Sequence, residues 1–183
     1  MKPQLKTLTW SDFDQTELCY SPQEKYGDFS GNILDILKDK RISNVHKIWL
    51  FTREGIIDNK TLRLFAVRCA RQVQYLMKDQ RSINALDVAE RYANRQATDE
   101  ELYAARAEAW AAVRAAKDAD AAAKDAIWAA KAAWESVRVQ PSFDAWGVAA
   151  QVAFVGAWVE DFFTDRGAQV QIAIELINEF YEV

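Results

Sequence analysis

From about residue 33 onward, apolar residues recur mainly at steps of three and four, the period of an amphipathic helix. The clearest case is 60–78. There Leu62, Phe65, Ala66, Cys69, Ala70, Val73, Leu76 and Met77 form one stripe, and Arg63, Arg68, Arg71, Gln74 and Lys78 lie opposite. A short helix is expected over 33–40. Another should follow Ser43, a good cap residue, with Val45, Ile48, Trp49 and Thr52 on one side. Ser82 is expected to cap a helix reaching about Arg95, whose buried side is Ala85, Leu86, Ala89, Tyr92 and Ala93. Residues 1–32 lack a sustained period. They are punctuated by Pro22, Gly27, Ser30 and Gly31, and predict an irregular, partly stranded arm.

Thr98, followed three residues later by Glu101, has the spacing of a capping box. It opens a long helix expected to run to about Arg138. Within it, residues 104–133 contain seventeen alanines and no glycine or proline. Steps of about 100° gather Ala104, Ala111, Ala112, Ala115 and further alanines on one face. Leu102, Trp110, Val113, Trp128 and Trp134 fall on the other face, among Arg106 and several lysines. Small side chains let a neighbouring backbone approach closely. The expected neighbour is a helix from Ser142 to about Phe163, with its own stripe of Ala145, Ala149, Ala153 and Gly156. Gly167 then opens a last helix to about Tyr181. Its core side is Val170, Ala173, Ile174, Ile177, Phe180 and Tyr181, with Glu175, Glu179 and Glu182 outward.

These elements predict an all-α fold. It is a single-domain helical bundle over 33–183 with a long alanine-rich helix, preceded by the irregular N-terminal arm of 1–32. The arm would be held down by Leu5, Leu8, Trp10, Phe13, Leu18 and Tyr20. Charge is uneven. Residues 1–97 carry 16 Lys and Arg against 12 Asp and Glu, and residues 98–183 carry 7 against 15, balances of +4 and -8. An acidic second half repels nucleic acid and can attract a basic protein. Two cysteines are too few for a disulfide framework and suit a reducing cytoplasm. The longest uncharged run, 145–159, is shorter than the roughly 20 residues of a membrane span.

The chemical inventory is thin. His46 is the one histidine, which removes histidine triads and relays. Cys69 falls on an apolar stripe and is expected to be a buried, inert thiol. Phosphate-loop, GxGxxG and CxxC motifs are lacking. No catalytic residue, metal ligand or cofactor is therefore assigned, and an enzyme is not expected. The basic side of 60–78 is expected to be solvated or paired rather than to bind nucleic acid. At the Asp79-Gln80-Arg81-Ser82 corner, Arg81 is expected to organise structure, bridging carbonyls at one helix end and a carboxylate on the other.

Residues 62–73 (LRLFAVRCARQV), residues 79–106 (opening DQRS) and the alanine and tryptophan run after them resemble a widespread bacterial and phage group. There, a Cys-Ala-Arg helix precedes an Asp-x-Arg-Ser corner and a long alanine-rich helix. The group is similar to an all-helical immunity family of bacterial polymorphic toxin systems. The likeness covers about 62–158. Cys69, Arg71, Asp79, Arg81 and Ser82 match the motif and are assigned to structure. Where the group often has glycine before the long helix, this chain has Asn94-Arg95-Gln96.

The resemblance implies an inhibitor that binds a bacterial protein without catalysis, with a toxin as first choice. The alternative is a phage anti-defence protein, anti-CRISPR-like, that binds a defence-complex subunit by acidic mimicry. Neither reading needs direct nucleic-acid or membrane binding, and either suits a monomer or small homo-oligomer. Glu160, Asp161, Asp165, Glu175 and Glu179 form the expected contact surface. Trp110, Trp128 and Trp134 are candidate anchors, although core packing is the first expectation for each.

Overall fold

The computed structural model describes residues 1–13, 21–53, 55–118 and 166–183. Among them are seven α-helices and one two-stranded sheet, so the fold class is all-α as expected. They fall into two compact units, Met1–Ile57 with Arg166–Val183, and Asp58–Asp165.

In the second unit, α4 (Asn59–Gln72), α5 (Gln80–Ala93) and α6 (Asp99–Asp118) follow one another. Asp58 caps α4, its carboxylate accepting the Thr61 N–H at 3.1 Å and the Thr61 hydroxyl at 2.7 Å. The helix buries Leu62, Phe65, Ala66, Cys69 and Ala70 as expected, and also Thr61, Leu64 and Val67. It is therefore covered over more than one stripe. It does not continue to Lys78. The Val73 N–H donates to the Ala70 and Arg71 carbonyls, a 3-10 turn follows at Gln74–Leu76, and Met77 is extended.

The cap of α5 is a correction. Asp79, not Ser82, occupies the N-cap and accepts the Arg81 N–H at 2.9 Å. Ser82 lies one turn inside the helix, buried, and its hydroxyl has no hydrogen-bond partner among the described residues. An ionised carboxylate at the positive end of a helix is a stronger acceptor than a hydroxyl. The predicted core side holds. Ala85, Leu86, Ala89 and Ala93 are buried and Tyr92 is half-buried.

The capping box of α6 forms. Glu101 N–H donates to Thr98 Oγ1 at 3.3 Å, and Thr98 N–H donates to Glu101 Oε2 at 2.8 Å. The alanine face, however, is rotated from its expected position. Leu102, Ala109, Ala112 and Val113 are buried, whereas Ala104 and Ala115 are exposed. The few large apolar residues choose the inward side, and the alanines in register with them follow. Val67, Ala85, Ala89, Leu102 and Ala109 form one cluster across the three helices. Residues 119–138, the helix expected over 142–163 and its small-residue stripe lie outside the described residues.

The first unit is built from short pieces and one late helix. Strands β1 (Leu8–Thr9) and β2 (Ser30–Gly31) pair antiparallel, Leu8 with Gly31 and Thr9 with Ser30. Between them lie a 3-10 turn at Trp10–Asp12 and α1 (Pro22–Tyr26), the latter capped by Ser21 and begun by proline. Helix α2 (Ile33–Lys38) follows a capping box of Asn32 and Asp35. Ser43 caps α3 (Asn44–Phe51) as expected; Ile48 and Thr52 are buried and Trp49 half-buried as expected, and Leu50, Phe51 and the Lys47 stem are buried as well. Val45, placed inward by its spacing, is 51% exposed. Helix α7 (Gly167–Phe180) packs on α2 and α3, with Val170, Ile172, Ala173, Leu176 and Ile177 buried. The chain ends meet. Glu182 N–H donates to the Pro3 carbonyl at 3.0 Å, and Lys2 Nζ donates to the Asn178 carbonyl at 2.9 Å. No described helix is long and apolar enough to cross a membrane.

Candidate functional site

The motif residues sit where α4, α5 and α6 join. Cys69 is buried, and desolvation pushes its thiol pKa far up, so it is a poor nucleophile. Arg71 at the end of α4 reaches α5, donating to Asp87 at 2.8 Å and Glu90 at 2.5 Å, and it also donates to Gln74 at 3.0 Å. Arg81 folds back on Asp79 at 2.7 Å and lies 3.9 Å from Glu108 on α6. It thus grips its own cap residue rather than helix-end carbonyls. Its hydrogen bonds hold the Asp79 carboxyl below the usual range. Arg71 thus links α4 to α5, Arg81 lies between α5 and α6, and Asp79 is paired within the start of α5.

The same logic runs along the α5–α6 seam. Arg91 donates to Glu101 at 3.0 Å, and the Tyr92 hydroxyl donates to Asp99 at 2.8 Å. The Arg63 guanidinium from α4 covers the Tyr92 ring, 5.2 Å from its centroid, and burial lowers its pKa. Asp99, Glu101 and Glu108 thus all meet partners on α5. Arg63 and Arg71, both on the suggested basic side, are occupied within the unit.

The outward side of α6 is different in kind. Tyr103 is 49% exposed and Trp110 is 39% exposed. Their spacing of seven residues places them on one stripe. With Arg106 and Ala107 they line a shallow, open hollow of about 280 Å³. Exposed Arg114 lies one turn beyond Trp110, and it forms no ion pair with any described residue. Core packing, the first expectation for Trp110, gives way to partial exposure because Leu102, Ala109 and Val113 fill the inward side. Tyr103 was not singled out by sequence, although its interval from Trp110 was a usable signal.

Of the five acidic residues proposed as a contact surface, Glu175 and Glu179 are exposed on α7, and Glu175 accepts from Gln171 at 3.1 Å. Glu160, Asp161 and Asp165, like Trp128, Trp134 and Cys19, lie outside the described residues. His46 Nδ1 is 2.5 Å from the Tyr26 hydroxyl, and burial, with Lys25, lowers its pKa. No group of three His, Cys, Asp or Glu side chains among the described residues could hold a metal. Comparison with protein families, characterised proteins and solved structures gives no match.

Proposed function

We propose that the protein is a non-catalytic inhibitor that binds another protein and blocks its working surface, specifically an immunity protein neutralising a bacterial toxin. The observation that carries the binding reading is the pair of exposed aromatics, Tyr103 and Trp110, on one face of a helix. Tyr, Trp and Arg dominate the binding energy of protein interfaces because they bury large area at low entropic cost. The Arg91–Glu101 ion pair and the Tyr92–Asp99 hydrogen bond hold α6 to α5, so little ordering would be needed on binding. The toxin assignment rests on the resemblance of residues 62–158 to the immunity family. A second reading, inhibition of a defence complex by acidic mimicry, draws on the exposed carboxylates Glu175 and Glu179.

The test is capture of the tagged full chain from its host, followed by mass spectrometry, with Tyr103→Ala/Trp110→Ala as comparator. A toxin recovered by the native chain and lost by the variant supports the reading. Absence of any stable protein partner overturns it.

A further inference from the structure

We draw no further inference here: the strongest candidate, the His46–Tyr26 pair that ties α3 to α1 beside Lys25, carries nothing, because an acid-sensitive latch there would rest on the lowered His46 pKa alone, and His46, Tyr26 and Lys25 each have further partners.

Discussion

The α4–α6 unit and the unit closed by α7 solve the same problem with different materials. In the first, three consecutive helices meet through small residues, Ala85, Ala89 and Ala109 beside Val67 and Leu102. Ion pairs, aspartate caps and one capping box lock their ends. In the second, short elements gather around large side chains. Trp10 stacks near Phe29, Phe13 and Tyr26, with centroids 5.1, 6.0 and 6.1 Å apart, and its indole N–H donates to the Gly27 carbonyl at 2.7 Å. Phe51 is fully buried and α7 arrives from the far end of the chain. Alanine contributes little area, so geometry and charge must set the α4–α6 seam. Aromatic burial carries the other unit, where pairing of charges is mostly at the surface.

The sharpest test of that contrast is to empty the aromatic unit. Phe51→Ala should destabilise it by about 3–5 kcal/mol through lost burial and a residual cavity. Hydrogen exchange should then accelerate in α2 and α7 as well as α3. Loosening confined to α3 would show that α7 is not part of the cooperative core.

Overfilling tests the other unit. Ala109→Leu places a large side chain in the three-helix seam and should cost about 1–3 kcal/mol in denaturant unfolding. Ala104→Leu, on the exposed side, should change stability by no more than about 0.5 kcal/mol. The pair also tests which alanines face inward. Spacing alone placed Ala104 on the packing side, because many alanines give no contrast by which to orient a wheel. Leu102 and Val113, read as part of the opposite face, were the true markers. Elsewhere contrast was sufficient, and the inward sides of α5 and α7 were mostly legible. Val45 misled because α3 is short, so tertiary contacts with α2 and α7 decide its rotation. The aromatic pair on α6 was only half legible. Trp110 stood out by type, but exposure is a property of the packed helix, not of spacing.

Acid should affect both units through their helix-start carboxylates, and less than either core change because these groups are exposed. Hydrogen bonds from Lys6, then Thr9, lower Asp12 to about 2, and the Thr98 N–H, then Arg91, lowers Glu101. A depressed folded pKa stabilises the protein above the unfolded value, near 4. That stabilisation is lost as pH falls through the folded value. Carboxyl-carbon NMR should place the Asp12 midpoint near 2 and that of Glu101 below its ordinary value. Ordinary midpoints at both would show that these hydrogen bonds are not formed in solution.

The smallest effect concerns how corners are turned, where the units are partly alike, since Arg166 at the start of α7 takes φ 46° in the first unit. Gly27 and Gly55 of the first unit take positive φ, 78° and 74°, where glycine bears no side-chain penalty. The α5–α6 corner places Arg95 at φ 59° instead. Its N–H donates to the Tyr92 carbonyl at 2.9 Å, and Gln96 N–H reaches Arg91 at 2.7 Å, the paired bonds of a glycine-type helix end. The left-handed conformation costs an L-residue about 1–2 kcal/mol. Glycine in its place removes that cost but gives the unfolded chain more freedom, worth about 0.5–1 kcal/mol. The two terms oppose, and the first is larger, so Arg95→Gly should stabilise by about 0.5 kcal/mol. Gly27→Ala, with nothing within 4 Å of the added Cβ, tests the backbone penalty in the opposite direction and should destabilise. A melting temperature that falls for Arg95→Gly would mean that the exposed guanidinium contributes more to the corner than its strained backbone takes away.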